Sequence, residues 1–295
     1  MTKPLIVGGA SLNRLLYVDS FGPVEGDHTG FPNRDFEGLG STGIGKALAL
    51  QGLGFDPVLQ MVLGRDAAGK TVSETLARSG LEMHIDWVDR PTENHFSLMG
   101  PNGLRHSYLL NVSQAGDVQD IEPLRPSWQA APVVFLNITA SSLAFLPLAR
   151  QEDRPVWVDL HDWDGENPHH QQFADVADVV QVSLAAGLGD EGIKALRKRC
   201  ELVVLTDAAK GAWLLEGKTE HHQPALAAQV VDTNGAGDSF FVALWAARQA
   251  GLALADAGQF AAKAAARTVS SQTICGELSD LRPTNFQSVT VKQSH

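Results

Sequence analysis

The most informative stretch of the sequence is Asp232-Thr233-Asn234-Gly235-Ala236-Gly237-Asp238, which runs directly into the apolar segment 239–247. Gly235 and Gly237 carry no side chain, so successive backbone N–H groups can curl around an anion. The apolar segment predicts a helix whose N-terminal dipole adds positive potential at the same place. Asp238 falls in its first turn, where a carboxylate often only stabilises the helix. Beside an anion-binding loop it can also take a proton from an attacking hydroxyl, which predicts phosphoryl transfer with Asp238 as base.

Outward from this stretch, short apolar strands alternate with helical patterns. Strands are expected over 133–136, 156–160, 179–182 and 202–205, with helices near 141–151, 170–177 and 190–199. This alternation predicts a mostly parallel sheet covered by helices on both faces, the three-layer α/β/α class. Two later strands, over 212–215 and 229–231, are expected to form an antiparallel edge, and the second leads directly into the motif.

The first third of the chain has a different pattern. Residues 19–37 are rich in Gly, Pro, Asp and Asn and predict loop or edge structure. Two short runs, 94–99 and 105–110, flank Gly100-Pro101-Asn102-Gly103 and predict a hairpin. We therefore expect a small β-sheet lid, contributed by about 13–37 and 90–111, within a single domain of residues 1–295.

Two weaker glycine-rich patterns overlap upstream. Gly38-Leu39-Gly40-Ser41-Thr42-Gly43 matches the dinucleotide fingerprint G-x-G-x-x-G, but polar residues 33–37 stand where that site needs a hydrophobic strand. The run from Gly40 to Lys46 resembles a P-loop, yet Ala47 replaces the Ser or Thr that holds magnesium. A glycine-rich turn before a helix is the simpler interpretation, and its free N–H groups can still bind a ligand.

Composition narrows the function classes. The chain has 295 residues and a net charge of −11, and an acidic surface argues against a nucleic-acid partner. Cys200 and Cys275 form no C-x-x-C pair, which favours a reducing, cytoplasmic setting. The first apolar run is too short for a signal peptide, and no stretch reaches the roughly 20 apolar residues of a membrane span.

The motif and its helix resemble the second signature of the ribokinase-like, phosphofructokinase B-type (PfkB) carbohydrate kinases, which reads Asp-Thr-x-Gly-Ala-Gly-Asp. Four further segments resemble elements of the family and follow the family's order: Gly8-Gly9, 64–69, 102–105 and 206–211. The resemblance implies a ribokinase-like α/β/α fold with a β-lid that often mediates dimers. It also implies ATP, Mg²⁺ and often K⁺, with phosphorylation of a primary alcohol on a sugar or nucleoside.

The resemblance also implies catalytic roles. Asp238 corresponds to the general base, and the backbone N–H groups of Gly235, Ala236, Gly237 and Asp238 correspond to the anion hole for the γ-phosphate. Donors fixed where charge develops usually make the largest catalytic contribution.

The same resemblance implies the binding residues around this centre. The nucleotide side is formed by Thr206, Gly211, Asn234, Gly235 and Gly237. Asp232 and Thr233 correspond to the monovalent-cation site. The acceptor side is predicted to involve Asn13, Gly40, Ser41, Arg105 and Asp238.

The acceptor and metal positions depart from the family pattern. Asn13 stands where the family has an Asp that grips two hydroxyls, and an amide brings no charge. Ser41 and Gly45 replace the second Gly and the Asn of the first signature. Ser183 and Ala186 replace the Asn-x-x-Glu pair that orders magnesium through water.

Several functions stay open at this point. The main hypothesis is a kinase of a sugar or sugar-like molecule, including one without the usual vicinal diol or with a negative charge. A nucleoside kinase of the same fold is the alternative, as is a metabolite-binding protein that phosphorylates poorly. A P-loop NTPase built on 40–46 is a separate class, in which Lys46 rather than Asp238 would be essential.

Overall fold

The structure, a computed structural model, describes residues 3–22, 26–27, 29–101 and 104–281. Its strands are β1 (Leu5–Val7), β2 (Ser11–Tyr17), β3 (Arg34–Gly40), β4 (Val58–Gly64), β5 (Glu82–Val88), β6 (Asn94–Met99), β7 (Arg105–Leu110), β8 (Val134–Leu136), β9 (Val156–Asp159), β10 (Val179–Ser183), β11 (Leu202–Thr206), β12 (Ala212–Glu216) and β13 (Thr219–Gln223). Its α-helices are α1 (Thr42–Gly52), α2 (Ala67–Arg78), α3 (Arg125–Ala130), α4 (Leu146–Gln151), α5 (Pro168–Ala174), α6 (Asp190–Arg199), α7 (Ala236–Gln249) and α8 (Leu254–Val269). None of the helices in these ranges is long and apolar enough to cross a membrane.

The large sheet has nine strands in the order β13-β12-β11-β10-β9-β8-β1-β4-β5. Neighbours from β11 to β5 pair in parallel, whereas β12 and β13 join antiparallel at one edge. Strands β1, β4, β8 and β9 consist entirely of buried residues, as expected when helices cover both faces. The predicted three-layer α/β/α class with a mostly parallel sheet is confirmed.

Hydrophobic side chains fill both faces of the large sheet. One cluster joins the strands to α1, α7 and α8 and contains Phe241. The other joins them to α3, α4, α5 and α6 and contains Trp128. In β1, Ile6 belongs to the first cluster and its neighbours Leu5 and Val7 belong to the second, because successive strand residues point to opposite faces.

The small sheet has four strands in the order β3-β2-β6-β7. Strands β2 and β6 are parallel, and the other two pairs are antiparallel. The β6–β7 hairpin has the predicted bounds, and the sheet fits the expected lid. Two residues of the predicted hairpin loop, Asn102 and Gly103, lie outside the described residues.

The strand predicted over 229–231 is wrong. These residues form no strand, and the N–H groups of Val231 and Asp232 donate to the carbonyl of Val269, at 2.7 and 3.2 Å. The antiparallel edge is formed instead by β13, whose sequence Thr-Glu-His-His-Gln is polar. Strand β3 lies largely within the region expected to be loop or edge, and β5 is a further strand in which apolar Met83, Ile85 and Trp87 alternate with polar residues, a pattern typical of a strand. Strands β3, β5 and β13 each lie at a sheet edge. The polar sequence of β13 is compatible with that position, because solvent at an edge removes the need for an apolar sequence.

Candidate functional site

A cavity of about 660 Å³ lies between the small sheet and the carboxyl ends of β8 and β9. The lid lines it with Asn13, His95, Ser97, Arg105 and Ser107. The segments after β8 and at the end of β9 line it with Ile138, Thr139, Asp159 and His161. The motif lines it with Thr233, Asn234, Gly235, Gly237 and Asp238. Ligands of open α/β sheets bind outside the carboxyl ends of the strands, so this cavity is the candidate site.

The glycine motif makes a tight turn into α7. The Asp232 carboxylate accepts the N–H of Asn234 at 2.9 Å, which shapes the first half of the turn. Gly235 then adopts a left-handed conformation with φ of 73°. A Cβ on Gly235 would lie 1.8 Å from the carbonyl oxygen of Ile274, so glycine is required there.

The turn leaves backbone donors at the start of α7. The N–H groups of Gly235, Gly237 and Asp238 donate no hydrogen bond to any described residue. The N–H of Ala236 donates to the carbonyl of Thr233, at a long 3.4 Å. Three of the four donors predicted for the anion hole are therefore free, beside the positive end of the helix.

Asp238 lies in the first turn of α7 and is 9% exposed. Its Oδ1 accepts hydrogen bonds from Lys46 Nζ, at 2.7 Å, and from the Thr42 hydroxyl. Its Oδ2 accepts none from the described residues. Asp238, the predicted base, thus lines the cavity with one carboxylate oxygen held by hydrogen bonds and the other without one from the described residues.

Lys46 lies in α1 and is 1% exposed, whereas lysine side chains usually reach solvent. Its Nζ also donates to Asn137 Oδ1 at 3.0 Å and to the Thr42 hydroxyl. The Asp159 carboxylate lies 3.9 Å away. Burial raises the pKa of Asp159, but the nearby His161, Lys46 and Gln181 lower it by more, so the net pKa is below its ordinary value.

Asn13 is oriented by its own neighbours in the lid. Its Oδ1 accepts from the Ser11 hydroxyl at 2.6 Å and from the His95 N–H at 3.3 Å. Because the backbone N–H of His95 can only donate, the two bonds assign the amide with its oxygen turned inward. Nδ2 donates no hydrogen bond to the described residues, and Gly40 packs against it, since a Cβ there would lie 2.0 Å from Nδ2.

Arg105 and Asn234 connect the lid to the motif. The Arg105 guanidinium, on β7, donates to the side-chain oxygen of Asn234. Both residues line the cavity, so the structure brings together the predicted substrate-side arginine and the predicted nucleotide-side asparagine.

Thr206 and Gly211 lie at the end of β11 and do not line this cavity. Thr206 pairs with Ser183 across the sheet, so it lies at the same carboxyl edge as the motif. Gly211 has φ of 104°, and a Cβ would lie 2.1 Å from the carbonyl oxygen of Gln223. Ala208, at the family's glycine position, has a positive φ of 43°.

Ser41 caps α1 with φ of 73° and ψ of 154°, a region essentially restricted to glycine, and its side chain makes no capping bond. We expect Ser41→Gly to raise the free energy of unfolding by about 1 kcal/mol, because relieved strain exceeds the added flexibility of the unfolded chain. Equilibrium urea unfolding measures this. The control Ser73→Gly, inside α2, is expected to destabilise, and a similar loss for both variants would contradict the strain.

The described residues do not form a complete metal site of their own, whereas magnesium in phosphoryl-transfer sites usually binds one or two carboxylates together with substrate phosphates. Within the described ranges, no group of three or more His, Cys, Asp or Glu side chains is arranged to hold a metal. Ser183 and Ala186 occupy the positions where the resemblance places the metal-ordering pair.

Comparisons with known proteins identify the family of this chain. The profile of the pfkB family carbohydrate kinases matches residues 185–279, which include the whole motif. The chain is also 31% identical over 249 residues to an acarbose 7(IV)-phosphotransferase from Actinoplanes sp., across 81% of this chain and 82% of that protein. The chain belongs to the pfkB family of carbohydrate kinases. It is therefore a phosphotransferase that acts on a hydroxyl group.

Solved structures of the family share its architecture. The microbiome-derived acarbose kinase Mak1 is 26% identical and superposes with a TM-score of 0.83, over 92% of this chain and 93% of that one. A ribokinase of Arabidopsis thaliana, solved with ribose and ATP, is 21% identical with a TM-score of 0.76, over 96% of each chain. The second likeness supports the ribokinase-like fold alone.

In this kinase, sequence reasoning missed most of the polar network behind the motif. Lys46, Asn137 and Gln181 are buried and contact Asp238, Lys46 and Asp159 respectively. Only Lys46 carried a usable signal, because it is surrounded in sequence by Ile44, Gly45 and Ala47 on a helix with buried faces. The P-loop interpretation fails, since Lys46 is buried and its helix follows a lid strand rather than a central parallel strand.

Proposed function

We propose that this protein is an ATP-dependent kinase that transfers the γ-phosphate to a hydroxyl of a sugar or sugar-like molecule. One observation carries the proposal. Asp238 lines the cavity and keeps one carboxylate oxygen without a hydrogen bond from the described residues, and the N–H groups of Gly235 and Gly237, in the same turn, are also free of such bonds. A base next to an anion site is the arrangement that in-line phosphoryl transfer to a hydroxyl requires.

In this mechanism the acceptor hydroxyl approaches Oδ2 of Asp238, which takes its proton as the oxygen attacks the γ-phosphorus. The bond from that phosphorus to the β,γ-bridging oxygen breaks, and ADP leaves with the bridging oxygen. The backbone donors at 235–238 hold the γ-phosphate where negative charge is concentrated. Thr206, Gly211 and Asn234 lie on the nucleotide side in this proposal. The acceptor is held by Asn13, Gly40, Ser41 and Arg105, which come from the lid and from the residues that lead from β3 into α1. We propose that residues 1–295 act as one kinase domain.

We propose that magnesium enters with the phosphates of ATP, and we assign no residue of the chain to it. A monovalent cation has a candidate site. Asp232 is 6% exposed, accepts one hydrogen bond, from Asn234, and forms no ion pair with the described residues. A buried carboxylate of this kind needs a compensating charge, so Asp232 and Thr233 are assigned to K⁺.

The acceptor side favours a neutral carbohydrate. Its single strong cation is Arg105, while Glu93, Asp159, Asp162 and Asp238 also line the cavity. Asn13 presents donor hydrogens, so it binds oxygen lone pairs rather than gripping the protons of a vicinal diol. The similarity to an acarbose phosphotransferase and an acarbose kinase makes acarbose the first acceptor to test.

A coupled ADP-release assay tests the proposed function. The panel contains acarbose, free sugars, sugar acids, sugar phosphates and nucleosides, each with MgATP and with K⁺ or Na⁺. We expect turnover with a neutral sugar or oligosaccharide. Turnover with nucleosides alone would support the nucleoside-kinase alternative. Tight binding of a ligand without turnover of any panel member would support the weakly catalytic alternative.

We further propose a homodimer through the lid. Strand β7 is an edge strand whose residues are all exposed, and Tyr108 and Leu110 share the face opposite the cavity. An exposed apolar edge strand pairs readily with another chain. We expect a dimer by light scattering, and a monomer for the double variant Tyr108→Ser and Leu110→Ser. The control Trp213→Ser, on β12, keeps the dimer; a monomeric unmodified protein would contradict the proposal.

A further inference from the structure

We propose that Lys46 is a positioning residue of this kinase, which holds Asp238 by one carboxylate oxygen and leaves the other for the acceptor hydroxyl. The inference rests on the proposed function, because it assumes that Asp238 is the base. It gives a role to a buried cation that the family's signature residues do not account for.

The ammonium group of Lys46 is completely satisfied. An ammonium has three donor hydrogens, and Lys46 Nζ has three acceptors, on Thr42, Asn137 and Asp238. Thr42 also restrains Asp238, because its hydroxyl accepts from Lys46 and donates to the same Asp238 oxygen. Oδ1 is thus held by two donors, whereas no described residue donates to Oδ2.

The far end of this network is anchored to the central sheet. Asn137 Nδ2 donates to the carbonyl oxygens of Val7 and Gly8, at 3.0 and 2.8 Å, just after β1. The amide orientation is therefore fixed by two acceptors, and its oxygen faces Lys46. A chain of bonds runs from the sheet through Lys46 in α1 to Asp238 in α7, which fixes the carboxylate before any ligand binds.

Close packing of the two helices supports the same role. Gly45 faces the carboxylate, and a Cβ there would lie 3.0 Å from Asp238 Oδ2. The missing side chain leaves space beside the available oxygen. Gly45 has no side chain that could hold the carboxylate. The α1 residues that hold it are therefore Thr42 and Lys46, which both donate hydrogen bonds to Asp238 Oδ1.

The charges of Asp238 and Asp159 explain why the residue that holds Asp238 in place is a cation. Asp238 and Asp159 are both buried, and Lys46 Nζ lies 2.7 and 3.9 Å from them. The other titratable group near this cluster is His161, whose Nδ1 lies 3.9 Å from Asp159. One lysine therefore compensates two carboxylates. Lys46 does not line the cavity, so it acts through Asp238 rather than on the phosphate.

Steady-state and single-turnover kinetics of Lys46→Met test the inference, with the best acceptor of the assay panel. We expect kcat to fall by about 100-fold or more, because a displaced base loses its alignment. The KM values for ATP and acceptor stay unchanged, since Lys46 contacts neither. The control Lys70→Met removes an exposed lysine from α2 and keeps full activity. A Lys46→Met enzyme with unchanged kcat overturns the inference.

A second pair of variants decides the question if Lys46→Met does not fold. Thr42→Val removes the hydroxyl that binds both Lys46 and Asp238 but leaves no charge unpaired, whereas Thr42→Ser keeps the hydroxyl. We expect kcat to fall about tenfold in Thr42→Val and to be retained in Thr42→Ser, with KM unchanged in both. Equal kcat in the two variants, or a loss confined to KM, overturns the positioning role.

The two failures are distinguishable. If the unmodified protein phosphorylates no acceptor, the proposed function fails first. If it phosphorylates an acceptor and Asp238→Asn abolishes turnover, while Lys46→Met and Thr42→Val remain fully active, the proposed function stands and the role of Lys46 fails alone.

Discussion

Replacing Asp238 with asparagine is expected to lower kcat by about 10²- to 10⁴-fold, the usual contribution of a general base. Asparagine keeps the shape of the side chain but cannot accept the hydroxyl proton. Binding of ATP and acceptor, measured by calorimetry, is expected to persist because the backbone donors and the lid are unchanged. The readout is kcat in the ADP-release assay.

The matched control is Asp178→Asn. Asp178 accepts the N–H of Val156 and directly precedes β10, at the amino end of the sheet, away from the cavity. It is expected to keep kcat. Asp238→Asn also removes the nearest anion of Lys46, so some loss of thermal stability is expected. An Asp238→Asn protein that folds and keeps its kcat would contradict the assignment of the base.

The substitution Gly235→Ala is expected to have the second large effect, on both activity and stability. The new Cβ would lie 1.8 Å from the backbone carbonyl of Ile274, and the residue would need a left-handed φ of 73°. Backbone cannot give way as a flexible side chain can, so the turn must move. We expect kcat to fall by about 100-fold and the free energy of unfolding to fall by at least ~2 kcal/mol.

The variant Gly237→Ala distinguishes the conformation that the turn requires at Gly235 from the effect of adding a methyl group elsewhere in the anion site. Its Cβ would meet only Gln181 Nε2, at 3.4 Å, which is ordinary contact. Inside the first turn of α7 this variant is expected to fold with unchanged or slightly higher stability. Urea unfolding compares the two variants. Equal stability of Gly235→Ala and Gly237→Ala would contradict the required left-handed turn.

The motif and the hairpin could be predicted from the sequence because their signals are local. A helix start with its glycines, and two β-runs around a turn, need no information from distant residues. The edge strand β13 could not be predicted, because solvent at the sheet edge removes the apolar pattern. Segment 229–231 shows the reverse case. Its valines favour a strand, but the N–H of Val231 donates to the carbonyl of Val269 at the end of α8 and not to a neighbouring strand.

The network behind Asp238 was not predictable for a different reason. Lys46 lies 91 residues from Asn137 and 192 residues from Asp238 in the sequence. Only the parallel sheet brings these positions to one place. The departures from the family pattern were visible in sequence, but their consequence was not: Ser41 and Ala208, at glycine positions of the family, both keep a positive φ.

The central claim is the transfer of the γ-phosphate to a carbohydrate hydroxyl with Asp238 as base. Mass spectrometry of the acceptor, after incubation with MgATP and the unmodified or Asp238→Asn protein, tests it most directly. The account predicts that the unmodified protein forms a phosphate monoester of the sugar, in step with ADP release, and that Asp238→Asn forms almost none. ADP release without a phosphorylated acceptor, or equal product from both proteins, would contradict it.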